Sequence, residues 1–253
     1  MRSRVLVVPA AGLGTRLGAD RPKLLVPVAG VPMIDRLLDL FADAVQRAVV
    51  VVHPSFEQQV SAHLGQAVVP IDTVVQTTPT GMLDAILLAE PAVRRSAPDE
   101  VWITWCDQIA IHRDTLRRLA SETTAHPHAA LVLPTVTRPG PYIHLHRDTA
   151  GRITQVLHRR EGDTMPPIGE SDMGVFALPY ESFGRLLPQY AADVQRGSAT
   201  GERNFLPFIA WANRHHDVVT FPAVDEMEAV GVNTPEELHA VEAYLAGREV
   251  RRS

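Results

Sequence analysis

The chain has 253 residues and a formal net charge of −5. That length allows a substantial buried core, and without a clustered Lys/Arg block the charge argues against a nucleic-acid-binding surface. Cys106 is the only cysteine, which excludes an internal disulfide and a cysteine-built metal cluster. No apolar run approaches the length of a membrane span. The N-terminus enters an apolar run without a separate leader segment, so a cytoplasmic protein is expected. Of eleven histidines, only His215 and His216 are adjacent. His144 and His146 share one strand face, but with no further ligands beside them they read as surface or cleft residues. The arginines from 248 to 252 read as a solvated tail.

Val5–Val8 predicts a first strand over residues 4–9, and further Val/Ile-rich runs predict strands at 47–53, 71–76 and 100–105. Helices are expected between them at 32–46, 56–64, 80–95 and 113–124. The first has Ile34, Leu37, Leu38, Phe41 and Val45 at helical spacing. This alternation implies parallel strands covered on both faces. After residue 125 the character changes. Stretches 129–136, 142–146, 153–158 and 172–178 read as strands, with turn signals at Pro139-Gly140-Pro141 and at 148–151. Helices at 180–190 and 203–214, a strand at 217–222 and a helix at 235–247 follow. Thr234 before Pro235 and Glu236-Glu237 combines an N-cap, a proline at the first helical position and acids in the first turn.

No repeat and no low-complexity linker interrupts these elements. One α/β domain over 1–253 is therefore expected, with an alternating half (about 1–125), a β-rich lobe (about 126–230) and a closing turn and helix (231–253). Ligands of open α/β sheets sit beyond the carboxyl ends of the strands. The loop after the first strand and the residues after Gln76 and Cys106 fall at such ends and could line one cleft.

The first strand feeds a loop with Gly12, Gly14 and Gly18, followed by the cations Arg16 and Lys23. Exposed amides and nearby cations suit a polyphosphate. The dinucleotide fingerprint requires a third glycine where Leu17 stands. The phosphate loop of nucleotide hydrolases requires Gly-Lys-Ser/Thr, whereas Lys23 lies between Pro22 and Leu24, and Pro22 disfavours a helix there. Both readings fail on spacing.

The run Ala10-Ala11-Gly12-Leu13-Gly14-Thr15-Arg16-Leu17-Gly18-Ala19-Asp20-Arg21-Pro22-Lys23 closely resembles the opening loop of nucleotidyltransferases that join a nucleoside triphosphate to a phosphorylated small molecule. The resemblance implies a nucleotide-diphospho-sugar transferase-like fold: a Rossmann-like α/β, mainly parallel mixed sheet flanked by helices, with a β-rich acceptor lobe. It assigns Ala10, Ala11, Gly12, Gly14 and Thr15 to the nucleotide, Arg16 to the β/γ end of the triphosphate and Lys23 to the charge developing at the α-phosphate.

Further motifs extend the resemblance. The segment 102–107 ends an apolar strand on Asp107; such an aspartate is commonly a turn residue, but magnesium prefers carboxylate and phosphate oxygens. In the family the corresponding aspartate holds the metal, and Cys106 stands where a glycine is usual. Val230-Gly231-Val232-Asn233 resembles the closing motif, which implies Asn233 as the second Mg2+ ligand; Thr234 could then cap the last helix. Gln76 and Gly81 match a Gln-x-x-x-x-Gly-Thr motif in which glutamine reads the base and glycine lets it approach, with Met82 in place of threonine. In the β-rich lobe, Glu170, Asp172 and Gly174 align with a sugar-contacting Glu-x-Asn-x-Gly. Asp172 cannot donate a hydrogen bond when ionised, as asparagine does. Tyr142 matches a Gly-Tyr-Gly-Arg segment of N-acetylglucosamine-1-phosphate uridyltransferases, but Ile143 replaces its second glycine and would crowd an N-acetyl group. Arg159 or Arg160 stands near the family's basic residue for the acceptor phosphate. Gly201-Glu202-Arg203-Asn204 matches a Gly-Glu-Tyr-Tyr segment only at its first two residues.

The implied reaction is in-line attack of an acceptor phosphate oxygen on the α-phosphorus, with pyrophosphate leaving. It rests on positioning and charge neutralisation, with Mg2+ as cofactor and no covalent intermediate. The expected substrates are UTP or another pyrimidine triphosphate and a sugar 1-phosphate. A cytidylyltransferase acting on a polyol or choline phosphate is the alternative, and a non-catalytic nucleotide sensor a further one. Retention of Arg16, Lys23, Asp107 and Asn233 together argues against the sensor. No hexapeptide repeat is present, so acetyl transfer is not expected. Helix faces do not reveal an oligomeric state.

Overall fold

A computed structural model describes residues 2–12, 17, 21–65, 67 and 69–250. In chain order, β1 (Arg4–Ala10) is followed by a short hairpin of β2 (Pro27–Val28) and β3 (Val31–Pro32), then α1 (Met33–Phe41), β4 (Arg47–Val52), α2 (Glu57–Leu64) and β5 (Ile71–Val75). Next come α3 (Met82–Leu88), α4 (Glu90–Ser96), β6 (Glu100–Thr104) and α5 (Arg113–Ala125). The remainder is β7 (Leu131–Pro139), β8 (Ile143–Arg147), β9 (Ile153–His158), β10 (Ile168–Asp172), β11 (Val175–Pro179), α6 (Leu187–Asp193), α7 (Phe208–Ala212), β12 (Val218–Pro222) and α8 (Pro235–Val250).

The main sheet runs β10-β7-β11-β6-β1-β4-β5, with β12 parallel beside β7. Strands β6, β1, β4 and β5 are mutually parallel; β11 and β10 run antiparallel to their neighbours, and β8 and β9 form a separate hairpin. This is a mixed, mainly parallel α/β sheet flanked by helices. Val5 and Val7 point into one core cluster and Leu6 and Val8 into the other, because successive strand residues face opposite sides. An apolar run on both faces is what a covered central strand requires. The chain moves outward from β1 to β4 and β5, then returns to β6 on the other side of β1. That reversal opens a crevice beyond the carboxyl ends of β1 and β6.

Several elements differ from the sequence expectation. Ala29 and Gly30 both take positive φ (45° and 77°), so residues 27–32 form a two-residue hairpin that no pattern marked. The helix expected over 80–95 is α3 plus α4, broken at Ala89 before Pro91, which lacks the amide an uninterrupted helix needs. The strand expected at 172–178 is two strands folded at Gly174, where φ is +67° and the Asp172 carboxylate accepts the Gly174 amide at 2.7 Å. The helix expected at 203–214 is only Phe208–Ala212, because residue 203 is engaged by the loop before α3.

Candidate active site

Lys23 is set by its neighbours. Pro22 precedes a single tight turn, Lys23–Leu25, closed by the Leu25 amide on the Pro22 carbonyl at 2.9 Å. Leu24 and Leu25 are buried in the core on the α1 side of the sheet and anchor the turn. Asp107 sits just past β6. Trp105 packs against one core cluster and Cys106 belongs to the other, so the turn is held from both faces of the sheet. Burial pushes the Cys106 thiol up to about 12, which leaves it inert as a nucleophile.

Asn233 reaches the same point from the far end of the chain. Val232 is buried, and its amide meets the Asp107 carbonyl at 3.3 Å. A Cβ on Gly231 would lie 3.1 Å from the Asp107 carboxylate, so a glycine there gives the carboxylate its space. Thr234 caps α8 as expected: its hydroxyl accepts from the Glu237 amide at 3.2 Å, and the Glu237 carboxylate accepts from the Thr234 and Asn233 amides. The Asn233 side chain is thereby left to face the cleft.

The three side chains meet. The Lys23 ammonium donates to Asp107 Oδ2 at 2.5 Å and to Asn233 Oδ1 at 2.7 Å. These partners lie 84 and 210 residues from it in sequence. A carboxylate and a carbonyl oxygen converging on one positive charge form a donor set suited to Mg2+, which takes hard oxygen ligands and completes its shell with water and phosphate. No group of three or more His, Cys, Asp or Glu side chains among the described residues is placed to hold a metal. Lys23 is also the one lysine among the 24 lysine and arginine residues, a signal in composition that spacing alone does not reveal.

Ala10 ends β1, and Ala11 and Gly12 follow it; a Cβ on Gly12 would meet nothing within 4 Å. Gly14, Thr15 and Arg16 lie outside the described residues. Gln76, 5% exposed, donates from Nε2 to the Gly81 carbonyl at 3.1 Å. Gly81 has φ +122°, and a Cβ there would strike the Arg203 backbone at 2.5 Å. Residues 80–83 and 203 are joined by two backbone hydrogen bonds and by the Arg203–Asp84 ion pair. Gly81 therefore admits a neighbouring chain segment, independently of any ligand.

The acceptor-lobe candidates are spread out and largely partnered. Both carboxylate oxygens of Glu170 accept from Arg147, at 2.6 and 2.7 Å. Burial alone would raise Glu170, but Arg147 and the Thr135 hydroxyl outweigh it and hold the carboxyl below its ordinary value. Asp172 is buried and raised to about 6 by that burial, against the pull of the Gly174 amide. Tyr142 is exposed and packs edge-on against His158 at 5.2 Å. Arg160 pairs with Glu202 at 3.3 Å, whereas Arg159 donates to the Gly140 and Pro141 carbonyls. Asn204 Oδ1 accepts from the Leu206 amide, so its Nδ2 donates to His158 Nδ1 at 2.9 Å. Arg147 and His158 stand in no motif, and Asn204 only as a mismatch in the segment 201–204, since their contacts depend on elements that only the fold brings together.

Residues 6–166 match the family described as the MobA-like NTP transferase domain. The chain belongs to this nucleotidyltransferase family. The bifunctional protein GlmU of Paramagnetospirillum magneticum is 31% identical over 249 residues, covering 96% of this chain and 53% of the relative. The GlmU of Rhodospirillum rubrum is 31% identical over 251 residues, covering 98% of this chain and 54% of that protein. The chain spans about half the length of the curated relatives it matches. A crystal structure assigned as a glucose-1-phosphate thymidylyltransferase from Bacillus anthracis, in complex with a sucrose, shares the fold. Its TM-score is 0.77 at 16% identity, covering 95% of this chain and 94% of that one.

Proposed function

We propose that the protein transfers a nucleotidyl group from a nucleoside triphosphate to a phosphorylated small molecule, releasing pyrophosphate, with a sugar 1-phosphate as acceptor and UTP or another pyrimidine triphosphate as donor. The observation that carries this reading is the convergence of Lys23, Asp107 and Asn233 at the crevice between β1 and β6. Asp107 and Asn233 would hold Mg2+, which when bound supplies charge neutralisation at the phosphate oxygens. Lys23 offsets the charge that develops at the α-phosphate, and Arg16 the charge on the leaving pyrophosphate. The acceptor phosphate is already anionic, so no side chain has to remove a proton. Ala10, Ala11, Gly12, Gly14 and Thr15 are assigned to the phosphates in this reading, and the Gln76 carboxamide, oriented through Gly81, reads the base edge. Tyr142, Arg160, Glu170 and Asp172 belong to the acceptor side of this reading. A cytoplasmic location, with neither nucleic acid nor membrane as partner, is part of the same proposal; no helix among the described residues is long and apolar enough to cross a membrane.

The Glu170–Arg147 and Asp172–Gly174 contacts favour a second acceptor class. Both acids that would meet sugar hydroxyls have internal partners, which supports a non-sugar phosphate, such as a polyol or choline phosphate in a cytidylyltransferase reaction. Pyrophosphate release, measured for the four common nucleoside triphosphates against pooled sugar 1-phosphates and pooled non-sugar phosphates, separates the two. Metal-dependent release is expected with one pool, and no release with any pair would overturn both readings in favour of a nucleotide sensor.

A further inference from the structure

The Lys23 ammonium lies 2.5 Å from Asp107 Oδ2 and 2.7 Å from Asn233 Oδ1, with the lysine and aspartate side chains only 15% and 11% exposed. A magnesium ion takes its oxygen ligands at about 2.0–2.1 Å. An ammonium seated this close to both oxygens fills the gap that such an ion needs. Any side chain at Gly231 would crowd the same carboxylate, since a Cβ there would lie 3.1 Å from it. We propose that Lys23 and the divalent cation are alternative occupants of the Asp107–Asn233 oxygen pair, so that metal entry displaces the ammonium toward the arriving polyphosphate.

The exclusion rests on Asp107 and Asn233 being the metal ligands. It gives a physical reason for a lysine at this one position in a chain whose other 23 of 24 such cations are arginine. A compact ammonium on a four-carbon stem can sit between two oxygens and leave, whereas a planar guanidinium grips a carboxylate with a fixed fork. The carboxylate also stays neutralised until a cation replaces the lysine, so its partial burial is compensated throughout. Metal alone has to break an ion pair. Metal carried on a polyphosphate brings the anion that receives the freed lysine, so the catalytic cation is delivered only when donor and metal are both present.

Two measurements test this. Free Mn2+, followed by electron paramagnetic resonance without nucleotide, is expected to bind Lys23→Met about tenfold more tightly than the parent protein. Adding Asp107→Asn to that variant is expected to abolish the gain. The second measurement needs no variant. Protein grown with lysine labelled at the ε-carbon gives one side-chain resonance, from Lys23, and this is expected to shift in step with occupancy as Mg2+ is added with inorganic tripolyphosphate. Unchanged Mn2+ affinity in Lys23→Met, or a stationary resonance at full metal occupancy, overturns the exclusion even if Asp107→Asn abolishes binding. A tenfold gain that persists when Asp107→Asn is added to Lys23→Met overturns the ligand reading and the exclusion with it.

Discussion

Strand β6 has a buried carboxylate near each end, and the two are partnered in opposite ways. Glu100, at its start, is 1% exposed and accepts from Arg4 Nε and Arg2 Nη1 at 2.8 Å and from Trp102 Nε1 at 3.1 Å. The Arg4 guanidinium also lies 5.0 Å over the Trp102 ring. Burial would raise Glu100, but its arginine partners outweigh that and hold the carboxyl below its ordinary value. Asp107, past the other end, meets one ammonium on a flexible stem. The first arrangement is a staple between strands. The second is a pair whose partner, on our proposal, is displaced by a metal ion, at the end of the sheet where ligands of such folds bind. A buried ion pair is thus not one kind of object: the cation's shape decides whether it fastens or yields.

Substitutions at the two ends test that contrast. Glu100→Ala strands the buried Arg4 and should lower unfolding free energy by about 3–5 kcal/mol in urea titrations, with kcat per folded molecule kept. A parallel loss of activity would mean that the staple also serves the chemistry. Lys23→Ala and Asp107→Ala should each lower kcat by about 10²–10³, or roughly 2.7–4 kcal/mol of barrier, and should cost less stability than Glu100→Ala. If they destabilised as much as Glu100→Ala, both ends would be structural.

Two smaller effects sharpen the contrast at the cleft's margins. Gly81→Ala forces a Cβ into the Arg203 backbone at φ +122° and should cost about 1–3 kcal/mol of stability. The KM for the triphosphate should then rise more than kcat falls; a change in stability alone would detach Gly81 from nucleotide binding. Asp172→Asn probes burial without a charged partner. The folded value of about 6 lies above the ordinary carboxyl value of 3.8. The native state therefore keeps a proton that the unfolded chain has released, and the stability present below about pH 4 is lost as pH rises to about 6. Asparagine should remove that slope while still accepting the Gly174 amide. The variant should be more stable by up to about 3 kcal/mol at pH 7.5, a gain that vanishes near pH 4 in melting curves recorded across that range.

The alternating half was legible because its information is local. Apolar runs marked β1, β4, β5 and β6 to within a residue or so, and the Pro22-Lys23-Leu24 and Thr234-Pro235 neighbourhoods encode their own turns. One proline interrupts an otherwise helical pattern over 80–95, so periodicity alone does not show the break. Over 172–178 an aspartate–glycine turn lies inside an apolar run, which hides the reversal between the two strands. The β-rich lobe was least legible. Whether Glu170 faces a ligand or Arg147 depends on how β8 and β10 pack, and nothing near either residue in sequence records that.

The residues alone marked the loop after the first strand as a candidate for a polyphosphate, the family the chain resembles and which oxygen-bearing side chains were candidates for the metal. These follow from residue type and short spacing, which act through neighbouring backbone. Only the tertiary structure decided that Lys23, Asp107 and Asn233 share one point, and that Glu170 and Asp172 are already partnered. Such meetings depend on the reversal of strand order at β1 and on strand packing across the sheet, which join positions up to 210 residues apart that no local pattern can connect.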